Sequence, residues 1–390
     1  MVRSRRCAVL ALALAGLAGC GHASVADTPA STAAAARVAA SPAEPASNPA
    51  GPRRVDLTVA VSGDLLIHAP VWQRAAALAG GEGYDFAPLL RHVRPWIAGA
   101  DLALCQLETP MTSAPPSGFP IFNTPPALAR AIRATGWDAC STASNHTLDQ
   151  GQSGVDQTIA ALRRAGVRHA GSAASRAGAR RLLVVRRRGV KIAILAYTTT
   201  TNGLAPPHPW SVKLAEPDRI VRDARRARRR GARVVLVNLH WGDEYRHAPT
   251  DAQLRLARRL SRSPDITAVV GQHAHVVQPI RRVRGRWIVF GEGNLLSNQT
   301  AACCPAATQD GIIALLRIRV GGHGAARARV RRVAYLPTWV RHPDYAVLPV
   351  GRALRRGWAP ADQLRASWHR TVSVVGRGPR LQPVPRRLPR

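Results

Sequence analysis

From Val55 onward the chain alternates short apolar runs with stretches of helical periodicity, and this alternation restricts the fold more than any other feature. It is typical of βαβ units, in which helices cover a largely parallel sheet. Strands are predicted at 57–61, 102–107, 139–142, 182–185, 192–196, 233–239, 266–270, 287–290, 312–318 and 328–335. Helices are predicted at 86–97, 126–134, 154–165, 218–230 and 251–261. The later strands have no helices between them, which favours two packed sheets covered by helices over one doubly wound sheet.

The amino terminus has the features of a secretory signal peptide at 1–19: a basic start, an apolar run and the tetrapeptide LAGC at 17–20. LAGC fits the pattern at which bacterial lipoprotein signals are cut and the cysteine, here Cys20, is acylated. Two acyl chains are enough for stable anchoring. We therefore expect export and anchoring at the outer face of the bacterial cytoplasmic membrane. The alternative is ordinary secretion with cleavage near Ala23.

Composition divides the remaining chain into three parts. Residues 20–54 are mostly Ala, Ser, Pro and Thr, and they lack the large apolar side chains needed to form a core, so they are predicted to be a disordered tether. Residues 55–350 are long enough for a single main α/β domain. Residues 351–390 contain ten arginines and one acidic residue, Asp362, and are predicted to be a basic tail.

The formal net charge of +34 indicates an anionic partner. A polyanion or an anionic membrane surface would be a suitable partner for this charge. Nucleic acid is disfavoured, because the chain is predicted to be exported and carries no motif of a nucleic-acid-binding module. An envelope polymer or a phosphorylated envelope substrate is the expected partner.

The four cysteines of the predicted domain have no spacing typical of a zinc site. Cys105 and Cys140 lie in apolar, strand-like runs, where buried free thiols are expected. The adjacent Cys303 and Cys304 are interpreted as a loop disulfide formed in an oxidising compartment.

Polar side chains follow five of the predicted strands at the point where each strand ends. Ligands of α/β proteins collect outside the carboxyl ends of parallel strands, so these groups are expected to converge on one crevice. They are Asp64 and His68, Glu108, Asn145 and His146, His240, and His273 and His275.

Each of these residues also has a simpler interpretation when taken alone. Asp64 follows a glycine and fits a turn, while Asn145 and Asp149 fit caps of the helix predicted near Gly154. His240 fits a hydrogen-bonded core histidine. The occurrence of such residues at five strand ends together favours a site.

A dinuclear metal centre gives a chemical reason for this set. Two divalent ions need a shared carboxylate between them, and Glu108 or Asp64 fits that role. Imidazoles suit zinc, iron or manganese, and the Asn145 amide oxygen adds a ligand without adding charge. His273 and His275 are able to hold separate ions if the segment between them is a turn. A histidine such as His146 suits proton donation or transition-state stabilisation.

The motifs also resemble, in their order, those of the CapA (PgsA-like) poly-γ-glutamate capsule proteins of the calcineurin-like metallophosphoesterase superfamily. They are Asp64, QLETP at 106–110, SNHTLDQG at 144–151, HWGDEY at 240–245, GQHAH at 271–275 and GN at 293–294. The resemblance runs from about residue 57 to 296. It implies a four-layer α/β/β/α sandwich with a dinuclear centre.

Carried over by position, the resemblance assigns roles to individual residues. Asp64 is implied as a terminal or bridging ligand, Glu108 as the bridging carboxylate and His146 as the catalytic imidazole. The same resemblance places Asn145, His240 and His273 on one metal and His275 on the other. Residues implied as further metal or substrate contacts are His68, Asp149, Glu244 and Asn294.

The sequence departs from the family pattern at four positions. The superfamily's Asp-x-His is absent, since the nearest histidine, His68, lies four residues after Asp64. Glu108 stands where Asp is usual, and Gln106 where Asn is frequent. Leu295 replaces the usual Phe after Asn294.

Three functions are compatible with these residues. The first is a membrane-tethered, metal-dependent hydrolase acting on a phosphoester or related bond. The second is a component of poly-γ-glutamate or similar polymer synthesis and export, working with other capsule synthesis proteins. The third is a non-catalytic scaffold that binds a polyanion or membrane.

Overall fold

The computed structural model describes residues 54–321 and 328–388. The predicted signal peptide, Cys20 and all of the predicted tether except Arg54 lie outside these residues. Within the described part of the chain, no helix is both long and apolar enough to cross a membrane.

The strands and helices alternate along most of the chain. In chain order the strands are β1 Val55–Leu65, β2 Leu102–Leu107, β3 Ala139–Ser141, β4 Arg168–Ala170, β5 Leu183–Arg187, β6 Val190–Thr198, β7 Val234–His240, β8 Ala268–Gln272, β9 Ile280–Val283, β10 Arg286–Val289, β11 Asn294–Leu296, β12 Asp310–Val320, β13 Arg329–Arg341, β14 Ala346–Pro349 and β15 Leu381–Pro383. The helices are α1 Ala69–Leu78, α2 Ala87–Leu90, α3 Arg94–Ala98, α4 Ala127–Thr135, α5 Gly151–Arg164, α6 Arg176–Arg180, α7 Pro217–Arg229, α8 Asp251–Arg262, α9 Val350–Arg356 and α10 Ala361–Val375, with a 3₁₀ turn at Ala306–Gln309.

These strands form two sheets. The first has the order β14-β13-β12-β1-β2-β3-β4, with β11 also paired to β1 and β15 to β13. Its strands β1 to β4 are parallel, whereas β12, β13 and β14 are antiparallel to their neighbours. The second sheet has the order β5-β6-β7-β8-β10-β9, in which the four central strands are parallel. Two sheets, rather than one doubly wound sheet, are thus confirmed.

Alternating side chains of the central strands build three apolar layers. Leu104 of β2 and Leu236 of β7 belong to the core between the two sheets. On the outer face of the first sheet, Ala103 packs with residues of α1 to α4. On the outer face of the second sheet, Val235 packs with residues of α7 and α8. The predicted α/β/β/α sandwich is therefore the observed architecture.

Proline positions explain where one predicted helix breaks. The stretch 86–97 was expected to be a single helix, but it forms α2 and α3 with a turn between them. Pro88 and Pro95 each occupy the first turn of their short helix. Proline fits a first helical turn but cannot donate in a helix interior, so Pro95 begins a new helix instead of continuing the old one.

The segment predicted to be a basic tail contributes to the folded domain. Helices α9 and α10 contact β13, and Leu364 and Trp368 are buried in the core that lies between the sheets. Arg370 of α10 pairs with the buried Asp310 at 2.7 Å. The amphipathic spacing of α10 places Leu364, Trp368 and Val372 on one buried face, while its two arginines, Arg365 and Arg370, are half-buried.

The cysteines differ from the sequence expectations in both pairs. Cys105 and Cys140, expected as free thiols, are joined as a disulfide, because the parallel register of β2 and β3 puts them side by side. Cys303 and Cys304, expected as a loop disulfide, are free.

Candidate metal centre

The carboxyl ends of five parallel strands bring the predicted ligands to one place. Asp64 lies near the end of β1, Glu108 directly follows β2, and Asn145 lies in the loop after β3. From the second sheet, His240 is the last residue of β7, and the loop after β8 carries the two remaining histidines. All of these side chains are buried.

The first group of candidate ligands contains Asp64, Glu108 and His275. One ligand atom from each residue lies within 4.8 Å of the others. The Nδ1 atom of His275 is 3.5 Å from Asp64 Oδ2, and its Nε2 atom is 3.7 Å from Glu108 Oε1.

The second group contains Glu108, His240 and His273, with ligand atoms that are again within 4.8 Å of one another. His240 Nε2 lies 3.7 Å from Glu108 Oε1 and 2.7 Å from Asn145 Oδ1, so the amide borders the same space. The rings of His240 and His273 are 4.7 Å apart between centroids. Glu108 is thus common to both groups.

Several ligand atoms have no partner although they are buried. Both carboxylate oxygens of Glu108, Asp64 Oδ1 and His273 Nδ1 are inaccessible and make no hydrogen bond within the described residues. Leaving a charged group buried and unpaired is costly, and buried charges are normally paired or bound to metal. This set of buried oxygen and nitrogen atoms without hydrogen bonds fits divalent cations.

The electrostatics of the cluster agree with that interpretation. Burial raises the pKa of Glu108 well above its usual value, and Asp64 adds to the shift. Burial and the neighbouring His275 lower the pKa of His273 to about 4. Although burial lowers the pKa of His275, the Glu108 and Asp64 carboxylates outweigh it and raise the pKa to about 10. The two carboxylates therefore stabilise the charged form of the imidazole nearest to them.

The loop after β8 is a turn, which separates its two histidines. His273 and His275 both have positive φ angles, of 97° and 55°. Non-glycine residues in this region are strained and cluster at functional sites. The turn directs His273 to the group with His240 and His275 to the group with Asp64.

His146 lies in the same loop as Asn145 but makes different contacts. Its Nδ1 atom is 2.8 Å from Asp149 Oδ2. The same carboxylate oxygen accepts the backbone N–H of Phe122 at 2.8 Å, and the Phe122 ring packs edge-on against the imidazole. Asp149 therefore orients His146. It does not cap α5, whose N-cap is Gln150 without a side-chain bond.

The other predicted contact residues lie around the cluster. His68 is outside the ligand groups of the described residues; it packs edge-on against Phe122. Glu244 is exposed and forms a third group with His273 and His275. Asn294 Oδ1 lies 3.0 Å from His275 Nδ1 and so orients that imidazole.

Sequence reasoning missed a buried amide network beneath the cluster. Gln106 Nε2 lies 3.4 Å from His240 Nδ1, and Gln106 Oε1 accepts from Asn238 at 3.0 Å. Asn238 in turn donates to Gln272, which donates to Glu292 Oε2 at 2.7 Å. The signal in the sequence is a carboxylate between two glycines, at 291–293, directly after an apolar strand.

These observations define the class of protein: a two-sheet α/β/β/α sandwich in which carboxylate, amide and imidazole groups converge at the strand ends to form a candidate metal centre. The chain belongs to the bacterial capsule synthesis protein family PGA_cap, whose profile matches residues 58–299.

Two relatives illustrate the range of sequence similarity. The capsule biosynthesis protein CapA of Bacillus anthracis is 25% identical over 256 residues, which cover 62% of this chain and 60% of the relative. The PGA biosynthesis protein CapA of Bacillus subtilis (strain 168) is 28% identical over 173 residues, which cover 44% of this chain and 45% of the relative. The chain thus spans less than two thirds of these relatives' length.

Solved structures resemble the chain at lower identity. The calcineurin-like phosphoesterase YfkN from Bacillus subtilis has a TM-score of 0.48 and 13% identity, covering 81% of this chain and 100% of that one. The NAD nucleotidase of Haemophilus influenzae has a TM-score of 0.47 and 11% identity. The match covers 85% of this chain and 57% of the nucleotidase chain.

Proposed function

We propose that this protein is a metal-dependent hydrolase of the cell envelope that cleaves a phosphoester or related bond in the service of an anionic capsule polymer. The observation that carries the proposal is Glu108, a buried carboxylate with no hydrogen-bond partner among the described residues and common to two ligand groups. A shared carboxylate is what two neighbouring divalent ions require, because it offsets their repulsion.

The chain offers enough ligands for two ions. Asp64, Glu108 and His275 would hold one, and Glu108, His240 and His273 the other, with the Asn145 oxygen beside the second group. Borderline ions such as manganese, iron or zinc suit this mixture of imidazole and oxygen ligands. When bound, such ions polarise the substrate and acidify a water molecule.

His146 would supply the proton that the leaving group needs. Its Nδ1–H is held by the Asp149 carboxylate, which fixes the tautomer and leaves Nε2 for the substrate. An imidazole nitrogen can both carry and release a proton, so the ring is suited to proton transfer. Phe122 limits the rotation of the ring from one side.

The capsule assignment rests on relatives rather than on the site. The names of the matching proteins refer to capsule and PGA biosynthesis and, in Mycobacterium tuberculosis, to a probable polyglutamine synthesis accessory role. The net charge of +34 suits a polymer of acidic residues. The LAGC tetrapeptide supports anchoring through Cys20 at the outer face of the cytoplasmic membrane, where capsule synthesis proteins would be accessible partners.

The second candidate is a non-catalytic scaffold of the capsule machinery, favoured by the large excess of arginine. Both are tested by measuring the metal content of purified protein and its hydrolysis of a phosphomonoester and a phosphodiester, with and without a chelator. Two bound ions and chelator-sensitive turnover support the hydrolase. Bound metal without turnover of either ester would leave only the scaffold.

A further inference from the structure

A cavity lies away from the metal centre, at one open edge of the sandwich. It has a volume of about 810 Å³ and runs between β4, the last strand of the first sheet, and β5 and β6 of the second. Helix α6 and the segment around Lys213 also border it. Its lining includes none of the candidate metal ligands.

Lys213 is an unusual residue for this position. Its side chain is buried, 8% exposed, yet its Nζ atom makes no hydrogen bond or ion pair within the described chain. It lies 5.9 Å from the centroid of the Tyr197 ring. The nearby carboxylate of Asp223 is already engaged, because it accepts from the Tyr197 hydroxyl at 2.9 Å and pairs with Arg226 at 3.5 Å. Burial lowers the pKa of Lys213.

The position of Lys213 is fixed by both sheets. Its backbone N–H donates to Gly171 O, just beyond β4, at 2.8 Å, and its carbonyl accepts from Thr198, at the end of β6, at 3.0 Å. The residues on either side form isolated bridges to Ser172 and again to Thr198. The segment therefore closes one end of the cavity and holds the lysine there.

The rest of the lining is cationic and apolar. Five arginines contribute to it, against the single carboxylate of Asp138, which is paired with Arg187 at 2.5 Å. Apolar walls are provided by Ile159, Leu182 and Ile194. The Lys213 side chain is largely withdrawn from water and its ammonium group has no hydrogen-bond acceptor within the described chain, so a bound anion would supply the missing partner.

We propose that this cavity binds a small organic anion, whose carboxylate or phosphate group pairs with Lys213 and whose carbon skeleton contacts the apolar wall. The arginines at the rim attract the anion, and Lys213 fixes its position inside. Nothing in this proposal depends on hydrolysis at the metal centre, which lies at the carboxyl ends of other strands.

Lysine chemistry tests the proposal directly, because the chain has only two lysines, Lys191 and Lys213. Lys191 lies outside the cavity, where its Nζ donates to Arg230 O at 3.2 Å, and is an internal control. The full-length protein is treated with an amine-acetylating reagent in glutarate, in inorganic phosphate, or in chloride of equal ionic strength. Acetylation of each lysine is then followed by mass spectrometry.

We expect glutarate or phosphate to slow acetylation of Lys213 at least tenfold while Lys191 is unaffected. The two arms distinguish a carboxylate from a phosphate ligand. Equal rates in all three solutions, or equal protection by chloride, would overturn the proposal.

Calorimetry of variants provides the second measurement. Lys213→Met keeps the length and the apolar part of the side chain, and it should weaken binding of the protecting anion at least tenfold. Lys191→Met should bind as the unmodified protein does. Unchanged affinity in Lys213→Met contradicts the proposal, and a melting temperature measured alongside distinguishes lost binding from lost folding.

Discussion

Asp149 Oδ2 accepts both the imidazole N–H of His146 and the backbone N–H of Phe122, each at 2.8 Å. The carboxylate is therefore fixed by the loop that carries Phe122, and it fixes the imidazole in turn. Asp149→Asn should lower kcat by about 10–100-fold with metal content unchanged, because the ring loses its preferred tautomer and orientation. Asp156→Asn, on the exposed face of α5, is the matched control. Loss of metal in Asp149→Asn would instead indicate a ligand role.

His146→Ala separates catalysis from binding. The imidazole makes no contribution to either buried ligand group. We expect hydrolysis to fall by about 10²–10⁴-fold, as for loss of a general acid, while two ions remain bound. Steady-state kinetics and elemental analysis on the same preparation measure both. Retained turnover would exclude His146 as the proton donor.

Glu108→Gln tests whether the two ligand groups form one centre. A neutral amide cannot offset the repulsion between two cations, so we expect bound metal to fall from two ions per chain to one or none. Glu82→Gln, at an exposed position before α2, should keep both ions. Two tightly bound ions in Glu108→Gln would rule out a bridging role.

Gly63 is required by a close approach of two backbones. A Cβ atom at this position would lie 1.9 Å from Gly293 O, which also accepts the N–H of Asp64 at 3.0 Å. Gly63→Ala should cost about 1–3 kcal/mol in the free energy of unfolding and weaken metal binding, because β1 must shift. Gly378→Ala, where a Cβ meets no atom within 4 Å, should leave both unchanged. Urea denaturation and metal titration measure the two effects.

The pair between Arg370 and Asp310 predicts a pH-dependent stability. Burial raises the pKa of Asp310, and Arg370 opposes that shift. Arg370→Met should raise the pKa further and cost about 2–3 kcal/mol at pH 7, where the buried carboxylate must ionise unpaired or stay protonated. As the pH falls, the Asp310 carboxyl of the folded protein becomes protonated with or without Arg370, so the cost should shrink towards about pH 4.

Urea denaturation at about pH 4.5 and pH 7 measures this difference. Arg355→Met, an exposed position on α9, serves as the control. A cost that stays constant between the two pH values would show that Arg370 stabilises the fold by packing rather than by its charge.

Sequence patterns were sufficient to predict the central strands and the positions where these strands end. The apolar run of β7 and the following His240 are local features, and the convergence of strand ends follows from a general property of α/β sheets. The pairing of Cys105 with Cys140 was not accessible in this way, since it depends on the register between two strands. Glu292 was missed because a carboxylate between glycines also fits an ordinary turn.

The C-terminal segment was misjudged for a different reason. Its arginine and proline content indicates a solvated tail, and this obscures the spacing of Leu364, Trp368 and Val372 along one helical face. The free ammonium group of Lys213 could not be anticipated either. The lack of a partner for this group depends on how the two sheets are placed, and a local sequence pattern cannot predict that.

β15 pairs with residues 333–335 of β13, and β14 pairs with residues 338–341 on the same strand. Together these two short strands pair with backbone N–H and C=O groups of β13 that would otherwise be unpaired along an exposed edge of the sheet. Exposed edge strands can pair with strands of other molecules. Removing β15 would leave residues 333–335 of β13 free to pair with another molecule. β15 therefore also protects the protein against self-association.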